Sequence, residues 1–192
     1  VCDHKYADGN AAVSNDACLY CNSLIVATVT YTTADGNVHT DLFDDICDAF
    51  DKANEAESAT VTLLRDRSGE LTRAIDVTGN VTLELNGYNL VAGYNMRTIT
   101  VVEGGTLTVN GGSNDRLYIT YGLPGSKIIV KGGNLTTLYA YGDAELTGGS
   151  FSTLSCAEGV TVDSLLAPGY AYKKSTSGTW VSIADREERS IG

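Results

Sequence analysis

The feature that most constrains this chain is a short phrase that occurs twice, 24 residues apart. Residues 82–87 have the sequence TLELNG, and residues 106–111 have the sequence TLTVNG. In both segments apolar and polar residues alternate before an Asn-Gly pair, which is typical of a half-buried strand followed by a tight turn. A fixed offset between such segments favours a chain that winds in successive coils, each strand stacked on its predecessor.

The spacing of the later segments supports such a stack. The distance between recurring segments falls from 24 to about 21 and then to about 16 residues, so we expect the stack to narrow toward its C-terminal end. We therefore predict a mainly β protein folded as a right-handed parallel β-helix, or solenoid. A two-layer sandwich is the alternative, because evenly spaced short strands also predict that fold.

The pattern changes period after Thr40, where apolar residues recur every three or four positions from Leu42 to Ala53 and aspartates fill the places between. This spacing predicts an amphipathic helix at about residues 40–57, with Thr40 or Asp41 as its N-cap. A helix before the first coil would cover the open end of the stack. The chain is thus divided into a small Cys/His lobe (1–23), a β-helix domain with its capping helix (24–182) and a polar tail or linker (183–192).

The charge balance limits the classes of partner. Thirteen Lys and Arg against 24 Asp and Glu give a formal net charge of -11, which repels phosphate backbones, anionic membrane surfaces and polyuronates. No run of about 18 apolar residues occurs, so we expect no membrane insertion. The acidic composition, rich in Thr, Asn and Gly, indicates a secreted or cell-surface location.

The residues that most strongly suggest a site are Cys2, His4, Cys18 and Cys21, in the pattern C-x-H followed by C-x-x-C. Three thiolates and one imidazole are a ligand set that closes a tetrahedral structural zinc site. Four protein ligands leave no open position for water, so such a zinc would be structural. A disulfide from Cys2 to Cys18 or Cys21, with His4 exposed, and free thiols are the alternatives.

The remaining cysteines and the second histidine favour structural roles. Cys47 lies on the apolar face of the predicted helix, where a thiol packs as a small hydrophobe, and Cys156 follows the last clear coil. His39 lies before the predicted helix cap, where a surface or capping role outweighs catalysis. Carboxylate pairs for hydrolysis can be drawn, as Glu84 with Glu103 or Asp143 with Glu145, but any acidic β-helix offers such pairs. No catalytic residue is assigned.

Tyrosine is in excess, with 11 residues against one Trp and three Phe. Tyr139 and Tyr141 share one face of a predicted strand, and Tyr118 and Tyr121 flank an adjacent turn. Stacked on successive coils, these four residues would form an aromatic stripe with hydroxyl edges, suited to protein or sugar ligands. Packing that only stabilises the stack is the alternative for the same residues.

Several segments resemble one group of proteins: FDDICDAFDKANEAESATVTLLRD, NVTLELNGYNL, TITVVEGGTLTVNGG and SLLAPGYAYKK with GTWV. Over roughly residues 40–182 the chain is similar to the pectate-lyase-like right-handed β-helix segments in large secreted surface proteins of Gram-positive gut bacteria. The resemblance implies a cell-surface setting and an adhesin-like or glycan-related role, and it transfers no catalytic residue.

We therefore expect a non-catalytic binding module whose partner is a host glycoprotein, such as mucin or immunoglobulin, or a glycan. A polysaccharide lyase or glycosidase and a purely structural spacer are the alternatives.

Overall fold

A computed structural model describes residue 4 and residues 13–14, 17–93 and 97–186. The described part is mainly β, as predicted, and consists of two larger sheets, a two-stranded ribbon and two helices. In the N-terminal half the elements are β1 (Val13–Ser14), β2 (Ala17–Cys18), β3 (Ala27–Thr32), β4 (Val38–Phe43), α1 (Ile46–Asn54), β5 (Ala59–Leu63), β6 (Arg67–Ser68), β7 (Ile75–Val77), β8 (Asn80–Glu84) and β9 (Leu90–Val91). They are followed by β10 (Arg97–Val101), β11 (Thr106–Asn110), β12 (Arg116–Gly122), β13 (Lys127–Val130), β14 (Asn134–Ala140), β15 (Asp143–Leu146), β16 (Ser150–Cys156), α2 (Val162–Leu165), β17 (Tyr170–Lys174) and β18 (Val181–Asp185).

The central strands alternate between the two larger sheets along the chain. The first sheet has the order β15-β13-β11-β8-β5-β3-β4, and the second has the order β17-β18-β16-β14-β12-β10-β7. In the second sheet β9 also pairs with β12, and β6 pairs with β9. From β5 to β15 in the first sheet, and from β7 to β16 in the second, neighbouring strands are parallel. This parallel pairing does not fit the antiparallel sandwich that was the alternative prediction.

The register of the repeated phrase differs from the expectation. Thr82 pairs with Thr108 and Asn80 pairs with Thr106, so the two segments are offset by 26 residues in the sheet instead of 24. A shift of two residues keeps every side chain on its face, because the side-chain period of a strand is two. Further along, Thr106 pairs with Lys127 and Lys127 with Asp143, offsets of 21 and 16 residues that match the predicted shortening.

The inward residues of both sheets form a single core. In the first sheet Val81, Leu107 and Ile128 are in register on successive strands, and each is completely buried. In the second sheet Leu138 and the completely buried Phe151 come from neighbouring strands. Aligned aliphatic side chains on successive strands bury a continuous apolar interior, which is how stacked strands stabilise one another.

The helix is shorter than predicted and begins later. Its N-cap is Asp45, whose carboxylate accepts a 2.7 Å hydrogen bond from the Cys47 amide, so the predicted N-caps Thr40 and Asp41 are wrong. Residues 38–43 instead form β4, which pairs with β3 around a turn containing Gly36 at φ +84°. Cross-strand pairing overrode the helical spacing of Leu42 and Phe43.

Helix α1 covers the first strands of both sheets, where a capping helix was expected. It packs against β3, β5, β7 and β8 through five buried residues: Ile46, Cys47, Ala49, Phe50 and Ala53. At its C-terminal end Asn54 donates to the Asp76 carbonyl at 2.8 Å and accepts from the Thr78 amide at 3.0 Å. Near its start Arg73 donates to Asp48 at 2.6 Å and also to Asp51, so these aspartates bind a loop instead of standing free.

The C-terminal elements add antiparallel pairing to the second sheet. β17 pairs with β18, and β18 pairs with β16 through Ser150–Ser182 and Phe151–Val181. β18 extends to Asp185 and Ile183 is buried, so the predicted boundary of a polar tail at residue 183 falls inside this strand. The apolar Ile183 packs into the core and therefore belongs to the folded domain.

Candidate metal centre and tyrosine row

Three of the four predicted metal ligands lie together. The ligand atoms of His4, Cys18 and Cys21 are all within 4.8 Å of one another; His4 and Cys18 are buried and Cys21 is exposed. Cys2, the fourth predicted ligand, lies outside the described residues. The coarser prediction, a Cys/His cluster able to hold a metal ion, is confirmed.

The spacing of the ligand atoms fits tetrahedral zinc. The Cys21 Sγ and His4 Nδ1 atoms are 3.6 Å apart. Zinc–sulfur and zinc–nitrogen bonds of usual length, at a tetrahedral angle, place such atoms about 3.6 Å apart. The described atoms therefore need little movement to accept the ion.

The chain around the two cysteines is a compact turn. The amide of Tyr20 donates to Cys18 Sγ at 3.4 Å, and the amide of Asn22 donates to the Cys18 carbonyl at 2.8 Å. Asn22 has a φ of +57°, a left-handed conformation that asparagine tolerates better than most residues. The turn brings both thiols to one side, as a metal site requires.

A carboxylate lies behind the histidine. The Nε2 atom of His4 is 3.7 Å from Asp44 Oδ1, while its Nδ1 atom faces Cys21. A carboxylate near the second ring nitrogen is the usual partner of a metal-bound histidine, because it orients the ring and raises its basicity. Asp44 directly precedes the N-cap of α1, so the cluster lies against the start of the capping helix. Within the described residues, Cys18 and Cys21 are not joined by a disulfide.

The predicted tyrosines form a row on the second sheet. Tyr121 on β12 pairs with Tyr139 on β14, and their rings stack with centroids 4.4 Å apart and planes at 21°. Tyr141 lies 5.8 Å from Tyr139 with a tilted ring. We call Tyr121, Tyr139 and Tyr141 the tyrosine row. Tyr118 lies on the same strand as Tyr121 but is not among the stacked rings of the described residues.

The row presents ring edges and hydroxyls rather than open ring faces. The Tyr121 ring is stacked on the Tyr139 ring. The guanidinium of Arg97 also lies over the Tyr121 ring, 4.4 Å from the ring centroid. The neighbouring Tyr121 raises the pKa of the Tyr139 phenol, and burial and a hydrogen bond between the phenols act in the same direction. The Tyr139 phenol is therefore protonated at neutral pH and can donate a hydrogen bond.

The other candidates have structural surroundings. Cys47 is buried and its thiol donates to the Arg73 carbonyl at 3.4 Å, as expected for a core cysteine. Burial raises the pKa of the Cys156 thiol, which opposes nucleophilic chemistry at neutral pH. His39 is exposed on β4 and stacks on Tyr31 with ring centroids 5.8 Å apart.

The proposed carboxylate pairs are engaged with neighbours. Glu84 accepts a hydrogen bond from the Asn110 side chain, and Glu145 lies 3.8 Å from the ammonium of Lys127. Glu103 follows β10, which belongs to the second sheet, whereas Glu84 lies on β8 of the first sheet. In each pair, one carboxylate is therefore contacted by a neighbouring polar side chain.

Sequence reasoning missed two residues that these clusters contain or adjoin. The helical spacing places Asp44 in the predicted helix, whereas its carboxylate lies near His4. Arg97 lies on the strand beside Tyr121, and its guanidinium lies over the Tyr121 ring. Only a correct strand register could have found Arg97, because no local spacing links it to Tyr121.

Comparison with protein families, curated protein sequences and solved structures gives no match to this chain. In the part of the chain that the structure describes, neither helix is long and apolar enough to cross a membrane.

Proposed function

We propose that this chain is a non-catalytic binding module, built as a right-handed parallel β-helix, of a secreted or surface-attached bacterial protein. Parallel strands that alternate between two sheets, with pairing offsets of 26, 21 and 16 residues, are the arrangement that a winding chain produces. The sequence resemblance to β-helix segments of gut-bacterial surface proteins supports the same fold and location. The net charge of -11 makes nucleic acid an unfavourable partner.

The observation that carries this function is the tyrosine row beside Arg97. Tyrosine and arginine are the residues most enriched at the centres of protein interfaces, because they combine a large contact area with hydrogen-bonding tips. Neighbouring strands of a sheet are about 4.8 Å apart, so the stacked phenols present their hydroxyl groups at a regular spacing. The ligand we propose is a host glycoprotein, such as mucin or immunoglobulin, or its glycan.

The tyrosine row can be tested by removing two of its three rings, Tyr139 and Tyr141. We expect the Tyr139→Ala, Tyr141→Ala double variant to bind immobilised mucin or secretory immunoglobulin at least about tenfold more weakly, the loss typical of hot-spot residues. Surface plasmon resonance measures the affinity. Replacing both tyrosines by phenylalanine is the matched control, because it keeps the stack and removes only the hydroxyls.

The controls separate binding from packing. A double alanine variant that binds as tightly as the original protein, with an unchanged circular dichroism spectrum, contradicts the role of the row. An original protein that binds neither host proteins nor a glycan array contradicts the proposed function itself and favours the spacer alternative.

We also propose that Cys2, His4, Cys18 and Cys21 hold a structural zinc ion. The 3.6 Å separation of Cys21 Sγ and His4 Nδ1 and the carboxylate of Asp44 behind the imidazole support this ligand set. Bound zinc would cross-link the two ends of the N-terminal lobe, joining Cys2 and His4 to Cys18 and Cys21, where little other core is available. Four protein ligands would leave the ion without an open position.

Metal analysis tests the zinc site directly. Protein purified without added chelator is expected to contain about one zinc per chain, and Cys21→Ser is expected to lose most of it. Cys156→Ser is the matched control, because Cys156 lies on β16 and is not one of the clustered ligands, so this change should leave the zinc content unchanged. Zinc near zero in the original protein, with Cys2 in a disulfide by mass spectrometry, would refute the site.

A further inference from the structure

A further candidate site, besides the metal centre and the tyrosine row, lies around the only tryptophan of the chain. Trp180 borders a groove of about 350 Å³ on the second sheet, at the junction of β14, β16 and β18. The groove is lined by Asn134, Ser150, Phe151, Ser152, Trp180 and Ser182. The tyrosine row contributes none of these residues.

The strand register explains why the polar residues meet. Asn134 pairs with Ser150, and Ser150 pairs with Ser182, so these three side chains form one cross-strand row. Phe151 is completely buried, which places the adjacent Ser150 and Ser152 on the outer face of the sheet. Trp180 precedes Ser182 by two positions and extends the same face.

The tryptophan stands on a hydrogen-bonded turn. The Ser175 hydroxyl accepts from the amides of Thr179 at 3.0 Å and Trp180 at 3.3 Å, and the Ser175 amide donates to the Trp180 carbonyl at 2.9 Å. These contacts fix the backbone of Trp180 although its side chain is 42% exposed. An exposed indole on a fixed backbone is suited to binding, because little backbone freedom remains to be lost.

The chemistry of the lining indicates the class of ligand. Among the described residues, the groove is lined by no charged side chain, although the chain carries 37 charged residues, 13 basic and 24 acidic. Within the described residues, the side-chain amide of Asn134 and the hydroxyls of Ser150, Ser152 and Ser182 have no hydrogen-bond partner. The site therefore combines an aromatic surface with neutral donors and acceptors that remain available.

We propose that this groove binds a neutral hexopyranose unit of a glycan. The apolar C–H face of a pyranose can pack on the indole, while its hydroxyl groups reach neutral amide and hydroxyl partners. A charged sugar would have to give up hydration without an opposite charge to replace it, so uronic acids and amino sugars with a free amine are disfavoured. This inference is independent of the tyrosine row, which lies farther along the same sheet.

The position of the two sites has a geometric consequence. Ser155, which pairs with Tyr139, is five positions along β16 from Ser150. At about 3.3 Å per residue the groove and the tyrosine row are roughly 16 Å apart. A glycan of several units bound at the groove would extend across the outer face of the sheet.

Intrinsic fluorescence tests the groove, because Trp180 is the only tryptophan. We expect methyl galactoside, methyl glucoside, methyl mannoside or N-acetylglucosamine to change the emission saturably, with a dissociation constant on the order of 1 mM. Glucuronate and glucosamine, as charged counterparts, are expected to cause no saturable change. No saturable change with any of the neutral sugars up to about 50 mM would overturn the proposal.

Variants assign the binding to the groove. Ligand-observed NMR should show at least about tenfold weaker binding for Trp180→Ala and a smaller loss for Asn134→Ala, while Tyr139→Ala binds the sugars normally. Trp180→Phe, which keeps an aromatic surface, is expected to retain most of the affinity. Unchanged sugar binding in folded Trp180→Ala or in Asn134→Ala would place the sugar elsewhere and refute the site.

Discussion

Replacing Phe50 by alanine is expected to destabilise the protein by about 3–5 kcal/mol, the cost of deleting a fully buried aromatic side chain. Phe50 is 1% exposed and lies on the inner face of α1. The helix packs against strands of both sheets, so a cavity at this position loosens the element that covers the end of the stack. Few other single substitutions remove as much buried apolar surface.

Thermal unfolding measures this effect. For a chain of this size, a loss of 3–5 kcal/mol corresponds to a decrease in melting temperature of roughly 6–20 °C. Phe50→Leu is the matched control and should cost less than about 1.5 kcal/mol, because it keeps most of the volume. Equal melting temperatures for the original protein and Phe50→Ala would show that α1 does not cover the core as described.

Gly132→Ala is expected to destabilise the protein by about 3 kcal/mol or more, because no space exists for a methyl group. A Cβ atom at Gly132 would lie 2.2 Å from the carbonyl oxygen of Gly111, which belongs to the preceding turn. The obstacle is backbone, so neither a rotamer change nor a small side-chain movement relieves it. The two turns would have to separate, which weakens the pairing of β11 with β13 and of β12 with β14.

Gly112, which follows Gly111 in the sequence, offers a matched control for Gly132. At Gly112 the nearest atom to an added Cβ is Asp115 Oδ1 at 3.4 Å, an ordinary contact distance. Gly112→Ala should therefore change the free energy of unfolding by less than about 1 kcal/mol in chemical denaturation. If both variants unfold at the same denaturant concentration, the close approach of the two turns is not present in solution.

The sequence alone predicted the strands better than their register. Alternation predicted β8, because one face of that strand is buried and the other is partly exposed. It also predicted β11, although Thr108 on the outward face of that strand is buried as well. The repeated phrase suggested pairing of Thr82 with Thr106, whereas Thr82 pairs with Thr108. Local spacing cannot distinguish these registers, since a shift of two residues buries the same side chains.

The helix and the metal cluster show the same division between local and long-range information. The C-x-x-C spacing alone predicted that Cys18 and Cys21 share a site, because a short turn brings both thiols together. Asp44 approaches His4 from a distant part of the chain, and only the folded structure reveals it. For the same reason, the start of α1 was predicted too early: the pairing of β4 with β3 is not visible in the helical spacing of Leu42 and Phe43.

The shortening offsets between paired strands also bear on how the chain folds. Partners in the parallel part of the first sheet, from β5 to β15, are 22, 26, 21 and 16 residues apart, or between about 0.14 and 0.08 of the 192-residue chain. Sandwiches and small barrels typically have a relative contact order of about 0.16–0.22, because their strands pair across long stretches of sequence. This all-β chain forms its sheets from near-neighbour contacts, so closing each new pair costs little loop entropy and strands can be added one after another.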